Sequence, residues 1–141
     1  MSFDNIYDIA ASAMRAQTVR LDTVASNLAN ADSAAGSADE AYHAVRPVFQ
    51  SVYQQVQETG ALGSASVAIA DVVASQDAPL KRYEPGNPLA DSDGYVWYAN
   101  INSMEEMADM MSASRSFESS IEVLKRLGSM QQGLLGLGEQ S

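Results

Sequence analysis

Apolar and small residues recur at helical spacing in the last third of the chain, between residues 103 and 130. The steps between them alternate between three and four residues, which is the pattern of a helix that packs on another helix in a coiled coil. Ser103 and Glu106 fit a capping box at the start of this helix. Lys125 and Arg126 are expected near its end, where positive charge is favoured. The positions of the stripe are Met107, Met110, Ser114, Phe117, Ile121, Leu124 and Gly128.

A second apolar stripe, with a seven-residue repeat, runs from residue 3 to about residue 30. Asp4 and Asp8 lie near its start, where negative charge stabilises a helix. This pattern predicts a long helix at the beginning of the chain. The two repeating core positions hold Tyr7, Met14, Leu21 and Leu28, and Ala10, Gln17, Val24 and Ala31.

The two stripes predict a mainly α protein with a small β part. We expect an N-terminal helix within residues 1–32 and a C-terminal helix within residues 103–141, paired as an antiparallel coiled coil that forms one domain. Residues 33–102 would form a central β-hairpin and extended segment. Because Gln17 and Ser114 lie in the stripes, a single helix pair would be weak, and helices from other copies or other proteins would complete its burial.

The first part of the central segment predicts a linker followed by a hairpin. Residues 31–41 are small, polar and acidic, which is typical of a linker without core residues. Alternation over residues 45–53 predicts a strand, and Pro47 places it at a sheet edge because proline lacks the backbone donor. A turn over residues 58–66 and a second strand over residues 67–75 would complete an antiparallel hairpin.

Residues 76–102 hold three of the four prolines, and we expect an irregular, extended course. Tight turns are predicted at residues 85–88 and 92–94. Aromatic side chains would pin this segment onto the helices or onto a neighbouring subunit. They are Tyr83, Tyr95, Trp97 and Tyr98.

Composition excludes several classes of protein. The net charge of −10, from 18 acidic and 8 basic residues, argues against nucleic-acid binding, which needs a basic surface. No apolar run approaches the roughly 20 residues that span a bilayer, so we do not expect a membrane-embedded protein. The N-terminal sequence lacks the features of a secretory signal. Any export would therefore use a different route.

The sequence predicts no catalytic, cofactor or metal site. His43 is the only histidine, and the chain has no cysteine. Residues 91–94 hint at a calcium loop, but Leu89 and Asn100 would occupy its first and last ligand positions, so a tight Asp-Gly turn is the better interpretation. No base is suitably placed for the serines of the C-terminal stripe, which are Ser112, Ser114 and Ser116.

Methionines cluster at the start of the C-terminal stripe. Methionine fills irregular gaps in a core, and it also suits surfaces that meet several different neighbours. The methionine cluster therefore has two interpretations, packing within one molecule and a contact between subunits. The incomplete burial of the helices favours the contact between subunits. The cluster comprises Met104, Met107, Met110 and Met111.

Three stretches resemble a known family. Residues 11–33, centred on the Asn-Leu-Ala-Asn at 27–30, are similar to the signature of bacterial flagellar rod and hook proteins. YEPGNPLADSDGYV at 83–96 and MSASRSFESSIEVLK at 111–125 resemble, within that family, its proximal-rod members. Residues 42–75 match only in general character. The resemblance thus covers both ends of the chain.

The resemblance implies a structural protein of the flagellar basal body without catalytic activity. Family members assemble into a tube that crosses the periplasm and transmits torque. The implied partners are other copies of the chain, proximal- and distal-rod proteins, and the adaptor between rod and MS ring. The flagellar type III export apparatus would export the chain without a cleaved signal. A flagellar export chaperone or adaptor with a helical hairpin is the alternative.

The resemblance also implies an inner layer of terminal helices. The positions that match this layer are Leu21, Val24, Leu28, Asn30, Met111, Arg115, Phe117, Ile121 and Leu124. The stripes themselves add further positions to the predicted assembly interface. These are Met14, Met107, Met110 and Leu127.

Overall fold

The computed structural model describes residues 3–53 and 65–138. A long helix stands at each end, and the described residues between them form five short strands in two antiparallel sheets. This confirms a mainly helical protein with a small β part, although the predicted turn over residues 58–66 falls mostly outside the described residues. The elements in order are α1 (Phe3–Asn30), β1 (Ala34–Ala35), β2 (Val45–Tyr53), β3 (Ala65–Ala74), β4 (Leu80–Tyr83), β5 (Tyr95–Tyr98) and α2 (Ser103–Gly138).

The two helices lie side by side and run in opposite directions. Near the start of α1, Tyr7 lies beside Gly128, where an added Cβ would come within 3.8 Å of the tyrosine hydroxyl. Two-thirds of the way along α1, Arg20 binds Asp109. Later positions on α1 thus contact earlier positions on α2, so the two helices are antiparallel.

The helices differ in length, and the difference leaves one end of α2 uncovered. Helix α2 has 36 residues and α1 has 28. Because the start of α2 lies beside the end of α1, the extra length, about two turns, projects past the start of α1. We call residues 131–138 the overhang. Its residues 131–136 are all exposed.

Strands β2 and β3 form a hairpin that lies along α1. The backbone of Val45 binds the Asn27 side chain, and the Val67 amide donates to the Ser12 hydroxyl at 3.2 Å. Ser12 and Asn27 are about 22 Å apart along a helix. Val45 and Ser51, which pairs with Val67, are about 20 Å apart along a strand. The hairpin therefore follows α1 over about half of the length of the helix.

α1 meets β2 at one end of the hairpin and β3 at the other, so the hairpin crosses the helix obliquely. A break in register between Val48 and Phe49 marks a β-bulge, which increases the twist of a hairpin. With two partners, α1 buries a wider face than one coiled-coil stripe. Its buried residues are Ala10, Ser12, Ala16, Thr23, Val24 and Asn27.

The second sheet connects the two helices, in the order β1-β5-β4. Val96 in β5 is fully buried. Two predictions were wrong here. Residues 34–35 are not linker but pair with β5, and Ala41 is buried. Residues 76–102 contain two paired strands, and all four residues of β4 are exposed, so no alternation signals that strand.

The predicted turns between β4 and β5 are present. The Asn87 amide donates to the Glu84 carbonyl and the Gly94 amide to the Asp91 carbonyl, both at 3.0 Å. Gly94 has a φ of +82°, which glycine adopts readily and other residues avoid. These contacts fix the course of the loop over residues 84–94.

The predicted ends of α2 need correction. Its cap is Asn102, whose Oδ1 accepts from the Met104 amide at 3.1 Å. Glu106 does not complete a capping box, because its carboxylate turns inward to bind other elements. The helix also continues to Gly138, so Lys125 and Arg126 lie about three turns before its end.

The buried stripe of α2 is rotated relative to the predicted one. Ala113 and Leu127 are buried, one position before the predicted Ser114 and Gly128. Met107 is half exposed, whereas Glu106 before it is buried. The rotation follows from the inward turn of Glu106, a residue that an apolar pattern assigns to solvent.

Candidate assembly surface

Asn27 is the centre of a buried polar contact between α1, β2 and α2. Its Nδ2 donates to the Val45 carbonyl and to Glu106 Oε2, both at 3.0 Å. Its Oδ1 accepts from the Val45 amide at 2.8 Å and from the Tyr42 hydroxyl at 3.2 Å. An asparagine amide has two donors and two acceptor positions. Asn27, only 1% exposed, therefore uses its full hydrogen-bonding capacity.

Glu106 brings a carboxylate into this buried contact. The residue is 2% exposed, and Arg46 donates to its Oε1 at 3.2 Å. A buried charge needs a charged partner and further hydrogen bonds, and Arg46 and Asn27 supply them. We call Asn27, Val45, Arg46 and Glu106 the polar joint. It fixes the hairpin and both helices relative to one another.

A second ion pair lies one turn of α2 beyond the polar joint. Arg20 donates through Nε to Asp109 Oδ2 at 3.0 Å and through Nη2 to Asp109 Oδ1. The hydrogen bond to Asp109 raises the pKa of Arg20 above its ordinary value. This bidentate geometry is the strong form of an arginine–carboxylate pair. It fixes the rotation of α1 against α2.

An open cleft of about 390 Å³ lies between α1, β2 and α2 at the polar joint. The amide of Asn27 and the carboxylates of Glu106 and Asp109 line it, and each is already hydrogen-bonded within the chain. Arg20, Thr23 and Arg46 also line it. The apolar lining residues are Val24, Val45, Pro47 and Phe49.

The aromatic side chains of the second sheet contact one another and two cations. Tyr83 and Tyr95 pack edge to face with ring centroids 5.2 Å apart. Lys81 Nζ lies 4.0 Å from the centroid of Tyr95, and the Arg82 guanidinium lies 4.7 Å from that of Tyr98. Such cation–π contacts stabilise an exposed strand. The structure thus places these aromatic residues on their own sheet.

Glu84 anchors the loop that follows β4. Hydrogen bonds from the Asn87 amide and then the Tyr98 hydroxyl lower the pKa of Glu84. The same bond from Tyr98 to Glu84 raises the pKa of Tyr98. Each shift favours the state in which a neutral tyrosine donates to an ionised carboxylate.

Most of the exposed large apolar side chains lie on three surfaces. The first is the outer side of α2 near its start, at Met104, Met107 and Met111. The second is the later part of α2, at Val123, Met130, Leu134 and Leu135. The third is the hairpin, at Val48, Phe49, Val52, Tyr53, Val67, Val72 and Val73. Exposed apolar surface on this scale is typical of protein–protein contacts.

The predicted interface residues fall into three groups. Within the single chain Val24 and Leu127 are buried. Met107, Met111 and Arg115 are exposed. The half-buried group comprises Met14, Leu21, Leu28, Asn30, Met110, Phe117, Ile121 and Leu124. Half-buried apolar residues on a helix pair retain surface that a neighbour can cover.

Sequence reasoning missed the polar joint and the exposed hairpin. Asn27 belongs to the recognised Asn-Leu-Ala-Asn motif, but its partners lie 18 and 79 residues away in the sequence. Asn27 and Glu106 each lie one residue before a predicted stripe position, and nothing in that placement signals that they pair. The alternation of β2 predicted a buried face, yet Phe49 and Tyr53 are exposed.

The residues that hint at a calcium loop form a tight turn. Asp91 Oδ1 accepts from the amides of Asp93 and Tyr95, at 2.9 and 2.8 Å, which is a turn contact. Over residues 3–53 and 65–138, no three acidic or histidine side chains are grouped to hold a metal ion. Neither described helix is both long and apolar enough to cross a bilayer.

Two family models match the ends of the chain. The model described as "Flagella basal body rod protein" matches residues 8–36. The model described as "Flagellar basal body rod FlgEFG protein C-terminal" matches residues 92–137. The matched segments include most of α1 and of α2, the two elements that the polar joint connects.

Full-length relatives share one name, "Flagellar basal-body rod protein FlgC". The protein of Salmonella typhimurium is 47% identical over 139 residues, which cover 99% of this chain and 100% of the relative. That of Escherichia coli O157:H7 is 45% identical over the same shares. The more distant protein of Aquifex aeolicus is 38% identical over 86% of this chain and 87% of its own length.

Proposed function

Because this chain belongs to the FlgC family of flagellar basal-body rod proteins, we propose that it is a structural subunit of the flagellar rod. Its copies, together with other rod proteins, build a tube that crosses the periplasm and transmits torque for motility. The observation that carries the proposal is the full-length similarity. The exposed apolar surface on α2 and on the hairpin supports it, because assembly is what would cover such surface.

The terminal helices are the proposed assembly elements. Within one chain they form an antiparallel pair, which we propose to be a coiled coil in the assembled rod, with neighbouring helices completing its burial. Residues 1–32 and 103–141 would then act as one domain and residues 33–102 as a second part. The proposed contacts use the half-buried and exposed positions of both helices, with Val24 and Leu127 supporting them from within.

The proposed partners are other copies of this chain, proximal- and distal-rod proteins, and the adaptor to the MS ring. We propose that the flagellar type III export apparatus delivers the chain to the periplasmic rod without a cleaved signal. The proposed role requires no catalytic step and no cofactor. No observation favours the alternative, an export chaperone, and the relatives carry the name of a rod protein.

Deletion and particle composition together test the proposal. Cells without the gene should be non-motile because rod assembly arrests early, and expression of the unmodified gene should restore swimming. Purified hook–basal bodies should contain the chain in a fixed ratio to other rod proteins. An export chaperone would be absent from those particles, and normal swimming of the deletion strain would contradict a structural role.

A further inference from the structure

Three exposed methionines lie together on one side of α2, near its start. Met104, Met107 and Met111 are 74%, 50% and 58% exposed. Their spacing of three and four residues places them on one face of the helix, over about 10 Å of its length. Met14 and Met110 are half-buried, so solvent reaches their sulfur atoms less easily. We call Met104, Met107 and Met111 the methionine face.

The thioether sulfurs of the methionine face are accessible to a two-electron oxidant. The chain has no cysteine, so no thiol within the molecule competes for that oxidant. The net charge of −10 repels anionic oxidants and leaves the approach of neutral hydrogen peroxide unaffected. We propose that the methionine face is a site of oxidation by hydrogen peroxide, which converts its methionines to methionine sulfoxides.

Each oxidation transfers one oxygen atom from peroxide to sulfur. The sulfur lone pair attacks one peroxide oxygen, the O–O bond breaks, and an S–O bond forms. The sulfur is oxidised by two electrons and the peroxide is reduced. The second peroxide oxygen leaves as water with both hydrogen atoms of the peroxide.

Oxidation changes this surface of α2 and leaves the fold in place. A sulfoxide is polar and chiral, and it disrupts methionine-rich interfaces. Because the methionine face is exposed in the single chain, water solvates the new oxygens there. The cost arises when a neighbour covers the face and removes that water. This step rests on the proposed rod function: oxidised copies fold but do not assemble into the rod.

Peroxide treatment of the purified chain, followed by mass spectrometry of its peptides, tests the oxidation site. Sulfoxide should form at Met104 and Met111 about fivefold faster than at Met14, and the difference should disappear in guanidinium, where every methionine is exposed. The urea midpoint should change little on oxidation. Equal rates in buffer, or a large fall in the midpoint, would overturn the proposal.

Paired substitutions test the effect on assembly. One variant combines Met104→Gln, Met107→Gln and Met111→Gln, whose polar amides stand in for sulfoxides. Its matched control combines Met104→Leu, Met107→Leu and Met111→Leu, which keeps the face apolar and free of sulfur. Glutamine and leucine both favour helices, so neither variant should disturb α2.

In the deletion strain, the leucine variant should restore swimming. The glutamine variant should reduce the number of hook–basal bodies per cell about tenfold, because its amides would be covered without partners. Equal restoration by the two variants would overturn the link between oxidation and assembly. Failure of the leucine variant would overturn it too, since an apolar face would then not be sufficient for assembly.

Oxidation of assembled particles separates this inference from the rod function itself. In purified hook–basal bodies, the methionine face should oxidise about fivefold more slowly than in the free chain, because a neighbour covers it. Equal rates in the particle and the free chain would overturn the inference while leaving the chain a rod subunit. Hook–basal bodies that lack the unsubstituted chain would instead overturn the proposed rod function.

Discussion

At the joined end of the helix pair, where α1 ends and α2 begins, buried side chains bind three elements together. The side-chain polar atoms of Asn27 and Glu106 are all paired inside the chain. At the projecting end, the overhang extends past α1 and exposes Leu134 and Leu135. The difference separates two roles: the joined end holds the elements of a single chain together, and the projecting end is surface that we propose a neighbour covers in the rod.

Removing the polar joint should have the largest effect on the single chain. Asn27→Ala removes the hydrogen-bond partner of both Val45 backbone groups and of Glu106 Oε2, while Glu106 Oε1 keeps Arg46. Such losses cost roughly 1–3 kcal/mol per group and are not additive, so we expect a loss of about 3 kcal/mol. Urea unfolding followed by circular dichroism measures it.

The matched control is Asn30→Ala, one turn further along α1. The Asn30 amide donates only to the Ser26 carbonyl in the same helix, so its removal should cost less than about 1 kcal/mol. Equal losses in the two variants would show that the joint does not hold the elements together. The contrast between the ends would then fail.

Gly94→Ala should have the next largest effect, again at the joined end. A Cβ there would lie 2.9 Å from a Tyr83 ring carbon, and the residue has a φ of +82°. Strain and crowding together should cost about 2 kcal/mol. Gly86→Ala, whose Cβ would meet nothing within 4 Å, is the control and should change the urea midpoint little. A similar shift in both would mean that the loop adjusts freely.

The sequence predicted the two helices because their apolar repeat is local, and it predicted β2 because alternation is local too. It missed the rotation of the α2 stripe because Glu106 is buried by a partner 79 residues away. It missed β4 because an exposed strand has no burial pattern. Contacts between distant polar residues depend on the fold, so no spacing rule reveals the polar joint, although the family motif contains Asn27.

At the projecting end, substitutions should act in the opposite direction on the single chain. Gly133→Ala and Gly136→Ala add a Cβ into open space, so each should stabilise α2 by up to about 1 kcal/mol. Thermal unfolding of the purified chain measures this gain. Motility should nevertheless fall if a neighbour approaches these glycines. A gain of stability with unchanged motility would show that no neighbour needs these glycines in the assembled rod.

The smallest expected effect is a pH dependence at Glu84, which sharpens the account of the joined end. Hydrogen bonds from Asn87 and Tyr98 lower the pKa of Glu84 below 4.5 in the folded chain. The folded state therefore binds a proton less readily than the unfolded state. The stabilisation by ionised Glu84 is present above the pKa of Glu84 in the unfolded chain, and it is lost as the pH falls through the pKa in the folded chain. Glu84→Gln should thus be less stable than the unsubstituted chain near neutral pH, and the difference should shrink as the pH falls below 4.5.

Tyr98 provides an independent measurement of the same bond. Donation to Glu84 raises the pKa of Tyr98 above 10.0. The stabilisation by neutral Tyr98 is therefore present below the pKa of Tyr98 in the unfolded chain, and it is lost as the pH rises through the pKa in the folded chain. In an absorbance titration, Tyr98→Phe should remove a transition that lies above the ordinary tyrosine value, and Glu84→Gln should move that transition to lower pH. A titration unchanged by Glu84→Gln would show that the bond does not hold the loop. Because the loop lies beside the sheet that links the helices, its pH sensitivity belongs to the joined end and should leave the exposure of the overhang unchanged.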